Sequence, residues 1–200
     1  VSREYSGMDN DSSVWRQLLA EQPRTVPELK ISPQIKPEGK NINSNSSAVE
    51  STGTLSSADM TALAKMVKDC HRCNLRGGCR QTVFGEGNYH ADLMFVGEAP
   101  GAEEDATGRP FVGKSGQLLD KMIQAMQFQR SEVFIGNIVK CRPPGNRNPM
   151  PEEADACIGY PKRQIELIKP KVLVLLGATP LLFLMNISGI KRNRGKWLEY

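Results

Sequence analysis

ADLMFVGEAPGAEEDATGRPFVGKSGQLLD, residues 91–120, decides the architecture. Its first seven residues read as a strand apolar on both faces and closed by Gly97. Such a strand has to be covered on both sides. After the turn GEAPG and an acidic loop, SGQLLDKMIQAM brings Leu118, Leu119, Met122, Ile123 and Met126 onto one helical stripe, expected to pack into a core. The turn is tight and exposes backbone amides. Glycine there permits close approach of a flat or anionic ligand, and the helix starting near Ser115 is a candidate phosphate receiver. GxGxxG is not present, which weakens a generic dinucleotide-binding reading.

Outward from this stretch the pattern repeats. VFIGNIVK, ending at Lys140, reads as a second strand. PEEADACIGYPKRQIELIK reads as a helix opened by Pro151 and two glutamates that favour its positive end. KVLVLLG reads as a third buried strand and ATPLLFLM as a helix start. On the other side, Ser57 can cap a helix through Met60, Leu63, Met66 and Val67 that delivers Cys70 at its end. Strands alternating with helices predict a three-layer α/β/α fold with a mostly parallel central sheet. Ligands of such sheets sit at the carboxyl ends of the strands, where GEAPG, GNIVK and GATP all fall.

Residues 1–56 differ in kind. NINSNSSAVESTGTLSS lacks the apolar density to offset ordering entropy, so a disordered tail is expected, with a possible partner-binding helix at SSVWRQLLAEQ. The domain itself is expected over 57–200. The end at KWLEY reads like the start of a strand, so the carboxyl-terminal part of the fold is expected to lie beyond Tyr200.

The chain has five cysteines. Cys70 and Cys73 form the close pair CHRC, Cys141 and Cys157 lie far along the chain, and Cys79 is a spare in RGGCRQ. A Cys-x-x-Cys turn presents two sulfurs to one centre while distant cysteines close the cage. Zinc, an iron–sulfur cluster, a disulfide framework and inert thiols all compete, and spacing ranks them only weakly. The odd count and the lack of a signal-peptide-like start favour a reducing compartment, the cytoplasm, where clustered thiols more often hold metal. The longest apolar run, VLVLLG, is strand-sized, so no membrane partner is expected.

Formal net charge is +4 but unevenly placed. The first fifty residues carry six Lys/Arg against seven Asp/Glu, whereas residues 140–200 carry eleven against five. A basic end suits a nucleic-acid-facing surface, with a plain solvated face as its rival.

CHRC, GEAPGAEED, GRPFVG, GNIVKCRPPGNRNP, Cys157 and LLGATP, in this order and spacing, resemble the family 4 uracil-DNA glycosylases, the iron–sulfur branch of that superfamily, over roughly residues 69–200. The resemblance implies a [4Fe-4S] cluster on Cys70, Cys73, Cys141 and Cys157, with Cys79 a structural thiol. It implies excision of a flipped-out uracil from double- or single-stranded DNA near the nucleoid, by a protein expected to be a monomer. Asn137 matches the asparagine that reads the base: its amide accepts from uracil N3–H and donates to O4, whereas cytosine offers the reverse. Phe111 matches the stacking aromatic. Glu98, Ala99, Pro100 and Gly101 match the loop beneath the glycosidic bond, with Ala99 where related branches place a water-activating aspartate. Glu98 and Glu104 are then candidates, with Asn137 as the third catalytic residue, for stabilising the sugar cation or positioning water. Lys140, Arg142, Arg147, Lys191, Arg192, Arg194 and Lys196 are expected along the phosphate backbone.

The family's His-Pro-Ser loop has no match, since only His71 and His90 occur, and its histidine is expected beyond Tyr200, so that this fragment alone excises poorly. The Lys-Arg-Arg-Ile-His insertion of the cross-linking branch is absent between Asn137 and Cys157. The rival of a different class is a non-catalytic iron–sulfur nucleic-acid-binding module associated with a polymerase or repair partner.

Overall fold

The computed structural model describes residues 57–200; the expected tail and its helix lie outside them. At the centre are two strands, β2 (Leu93–Gly97) and β3 (Phe134–Asn137), paired in parallel with Gly97 opposite Asn137. β4 (Val172–Leu175) lies parallel on the other side of β2, and β1 (Glu86–Gly87) adds antiparallel to β3, giving the order β1-β3-β2-β4. The sheet is mostly parallel, as the alternation of strands and helices predicts.

Every residue of β2 and β3 is buried because both faces are covered. On one face Met94, Val96 and Phe134 meet α1 (Ser57–Lys68), α5 (Pro151–Cys157), α6 (Gly159–Ile168) and α7 (Ala178–Met185). On the other, Leu93, Phe95 and Ile135 meet Leu119 and Ile123 of α4 (Lys114–Ala125). Alternate side chains of one strand therefore feed two separate cores, the physical content of a three-layer fold. Between these elements lie the short helices α2 (Leu75–Gly78) and α3 (Ala102–Thr107), and α8 (Ile190–Asn193) follows α7.

Four expectations need correction. Leu118 and Met122 are 61% and 48% exposed, because α4 rests on the sheet along the narrow line of Leu119 and Ile123, one turn apart. Met66 of α1 is likewise exposed. β4 is only half-buried after Val172, since among the described residues nothing pairs with its outer side. The second strand also ends at Asn137 rather than Lys140. Two further main-chain bonds, Ile138 N–H to Gly97 O at 2.9 Å and Val139 N–H to Glu98 O at 3.1 Å, continue the ladder into the turn.

Candidate active site

The carboxyl ends of β2, β3 and β4 bring Glu98, Asn137 and the GATP turn to one edge of the sheet. Asn137 ends β3 with 1% of its surface exposed, and its Oδ1 is buried with no hydrogen-bond partner. An unpaired buried carbonyl is costly, on the order of 1–3 kcal/mol, and native structures rarely leave one without reason. Gly97 shows where it points. A Cβ built on Gly97 would lie 2.5 Å from Asn137 Oδ1 and 2.7 Å from Phe111 Cε2, so the bare glycine is what lets amide and ring meet.

Phe111 is held unusually. Its φ of 49° lies in the left-handed region, where a bulky side chain costs about 1–3 kcal/mol. Surrounding bonds hold it there. Arg130 donates to the carbonyls of Phe111 (3.2 Å) and Pro110 while paired with Asp120 (2.7 Å) and Glu86 (3.3 Å). Gly116, in the first turn of α4, has no side chain to collide with the Phe111 carbonyl.

Glu104 completes the clamp. Its Oε1 accepts from the amides of Val112 and Gly113, both at 2.9 Å, and its Oε2 from Gly101 at 3.0 Å. Burial opposes its charge, yet the amides of Gly113, of Glu104 itself, of Val112 and of Gly101 outweigh burial and hold the carboxyl below its ordinary value of 4.5. Glu104 thus ties the GEAPG turn to the RPFVG turn. The helix start expected near Ser115 as a phosphate receiver is α4, and the amide of its N-cap Gly113 is taken by this carboxylate. The adjacent Asp105 is buried too and accepts from the Arg80 amide at 2.8 Å, so the acidic loop is largely structural.

Glu98 is different. Half-buried at the end of β2, it accepts from the Thr179 hydroxyl through Oε2 alone. Ala99 packs against the core and Pro100 is buried, so the turn is fixed from both ends. Sequence reasoning missed Thr179, Arg130 and the role of Gly97; GATP at the end of a strand was the available signal for the first.

The four matched cysteines converge. Cys70 follows α1, Cys73 precedes α2, Cys141 follows the turn after β3 and Cys157 ends α5, and all four line one enclosed cavity with Val67, Leu75 and Tyr160. Cys79 stands outside that lining, its sulfur donating to the Arg76 carbonyl and accepting from Arg76 Nη1, both at 3.7 Å. Burial, then the neighbouring thiols, push Cys141 far above the ordinary thiol range, and burial pushes Cys157 up to about 11 with Lys140 working against it. Thiols this disfavoured as anions need a cationic centre to ionise, and soft sulfur donors in a dry cage fit one. Among the described residues no three such side chains close on a single ion.

The basic residues do not form one surface. Lys140 is 1% exposed, which overturns its expected place on the phosphate backbone. Its ammonium donates to Gln164 Oε1 (2.7 Å), Asn137 O (2.9 Å) and Phe84 O (3.1 Å), and burial pushes it down to about 8. Arg147 is turned onto Glu153 in a two-pronged pair at 2.7 and 2.8 Å, and Arg142 onto Asn146 at 2.7 Å. Lys191, Arg192, Arg194 and Lys196 are exposed on and after α8.

A model of the uracil DNA glycosylase superfamily matches residues 84–200. A type-4 uracil-DNA glycosylase of Thermotoga maritima is 45% identical over 144 residues, covering 70% of this chain and 75% of that protein. One of Pyrobaculum aerophilum is 44% identical over 131 residues, covering 66% of this chain and 67% of its own length. One of Archaeoglobus fulgidus is 42% identical over 142 residues, covering 68% and 71%. With Asn137, Phe111 and the glutamate turn gathered where these sheets bind ligands, the chain belongs to the uracil DNA glycosylase superfamily and, within it, to the type-4 uracil-DNA glycosylases.

Proposed function

We propose that this protein hydrolyses the N-glycosidic bond of a deoxyuridine flipped out of DNA, releasing uracil and leaving an abasic site. The observation that carries the reading is the orphaned Oδ1 of Asn137 beside the ring of Phe111. Uracil presents N3–H to that oxygen and O4 to Nδ2, and its flat face to the ring. Cytosine presents an acceptor at N3 and a donor at N4, leaving buried groups unpaired on both sides, which is the strongest form of rejection a pocket offers. As the bond breaks, uracil gathers negative charge over its carbonyls. A preorganised donor such as Asn137 Nδ2 is worth about 3–4 kcal/mol to that state.

The two carboxylates divide the remaining work. Glu104 has both oxygens engaged by amides and positions Phe111 and the turn. Glu98 has only Oε2 engaged, so it is the one with capacity to face a sugar cation or an attacking water. Cys70, Cys73, Cys141 and Cys157 would hold a [4Fe-4S] cluster. When bound, the cluster supplies a cross-link among α1, the turn after β3 and α5. The exposed cations Lys191 to Lys196 suit the DNA backbone, and a monomer working on uracil-containing DNA in the cytoplasm suits a cage of reduced thiols. The non-catalytic module is disfavoured, because relatives matching most of this chain are named glycosylases.

Single-turnover release of uracil from DNA bearing one deoxyuridine tests this. Asn137→Ala is expected to lower the rate about 10²- to 10³-fold. Undiminished release from that variant rejects the base-reading assignment, and purified protein lacking iron and acid-labile sulfide rejects the cluster.

A further inference from the structure

Lys140 is the one fully buried ammonium among the described residues. A lysine in such a place has to spend all three of its protons on acceptors, and this one does. Its Nζ reaches the Asn137 carbonyl at 2.9 Å, the Phe84 carbonyl at 3.1 Å and Gln164 Oε1 at 2.7 Å. Gln164 Nε2 closes the ring by donating to the same Phe84 carbonyl at 2.9 Å. Three chain segments therefore meet on one charge: the loop before β1, the end of β3, and α6.

The main chain of Lys140 faces the opposite way. Its carbonyl accepts from Val83 N–H at 2.7 Å, and the residue lines the cysteine cavity together with Cys157 and its chain neighbour Cys141. One residue thus borders the cysteine cavity and holds the backbone of the base-reading asparagine with its side chain. On the β2 side the ladder holds Asn137 through Gly97 and the Ile138 N–H bond, and its own carbonyl is held by the Lys140 ammonium. An amide that must meet two edge atoms of a flat base needs its own backbone held.

We propose that Lys140 is a positioning residue, a buried cation that fixes the main chain of Asn137 and couples it to the cysteine cage. This rests on the reading of Asn137 as the group that grips uracil. The energetics favour an ion over a neutral donor, since hydrogen bonds from a charged group are about twice as strong as neutral ones and three carbonyl-type acceptors converge here. The three acceptors also explain why the charge is tolerated without a paired carboxylate.

The test compares the full chain with Lys140→Met, with the double variant Lys140→Met/Gln164→Leu, and with Asn137→Ala. The single change orphans buried acceptors and carries a folding cost; the double change removes the Gln164 partner as well, which lets the site repack. Iron and sulfide content and thermal unfolding identify which variants retain the native structure. In the folded double variant, kcat for uracil release is expected to fall about 10²-fold, the usual result of a roughly 1 Å misplacement, while KM for DNA holds. The inhibition constant of free uracil is expected to rise in parallel, and the preference for deoxyuridine over deoxycytidine to shrink. A purely structural lysine would leave the last two unchanged. A folded double variant with wild-type kcat, uracil inhibition and base preference overturns the proposal while an impaired Asn137→Ala leaves the base reader standing. A fully active Asn137→Ala removes the base reader, and this proposal with it.

Discussion

Gly97→Ala is the sharpest test of how the slot is built. The added Cβ would sit 2.5 Å from Asn137 Oδ1 and 2.7 Å from Phe111 Cε2. Ordinary carbon contacts begin near 3.5 Å, so amide and ring must each withdraw by roughly 1 Å. The backbone cannot yield in their place. Gly97 is paired to Asn137 in the ladder and its carbonyl accepts from Ile138 at 2.9 Å, in the middle of a sheet covered on both faces. Phe111 cannot swing freely either, since its carbonyl is held by Arg130 and the next two amides by Glu104.

Overpacking of this kind costs about 1–3 kcal/mol of stability, and a displacement of about 1 Å in positioned groups costs about 10²-fold in rate. Uracil release, DNA affinity by fluorescence anisotropy, and thermal unfolding measured together separate the two effects. The expected pattern is a folded protein with near-native DNA affinity and a rate lowered about 10²-fold. Gly136→Ala is the control. One residue before Asn137, its Cβ would meet Phe134, Gln164 and Lys140 at 3.6 to 3.7 Å, ordinary contact distances, so it should be tolerated. Gly97→Ala with undiminished turnover would refute the argument that ring and amide share the space over this glycine.

Two further outcomes follow from the carboxylates. Glu104→Gln places an NH₂ donor against one set of amide donors, so we expect a loss of about 1–3 kcal/mol in thermal or urea unfolding and a fall in kcat with DNA affinity unchanged; a stability equal to wild type would contradict its clamping role. In acid, Glu86 is lowered chiefly by Arg109 and Glu153 chiefly by Arg147, while for Glu104 the amides outweigh burial, so all three bind their proton less readily folded than unfolded. Their contribution is therefore complete above the ordinary carboxyl value of about 4.5 and lost as pH falls through the lower folded values, which urea midpoints measured from neutral pH downward should show; stability that rises in that window would reverse the sign of the argument.

What was legible in the sequence is what local pattern can carry. β2 and β3 are apolar runs ended by Gly97 and Asn137, and a run with no polar face announces a doubly covered strand. β1 is two residues, one of them glycine, and no periodicity exists at that length. The α4 stripe was half legible: Leu119 and Ile123 face the sheet, but a wide apolar stripe does not reveal how narrow the contact will be. Phe111 and Asn137 could be picked from their motifs, whereas Thr179, 81 positions from Glu98, and Arg130, 44 from Glu86, are brought in only by the completed sheet. Lys140 was misread for the same reason. In a basic stretch beside Cys141 it looks like surface charge, and the glutamine that receives it lies 24 residues further on.

That misreading points to a principle of construction. Two buried ions of opposite sign serve the loops at the ends of β2 and β3, where regular strand pairing gives way to turns. Glu104 is an anion gathering three amide donors, and Lys140 a cation gathering three oxygen acceptors. Each charge is satisfied by its own set of dipoles rather than by the other, so neither is stabilised by a salt bridge that would have to form across the slot. The two ions hold the two walls independently, and the close approach of Asn137 and Phe111 is set by the bare backbone at Gly97.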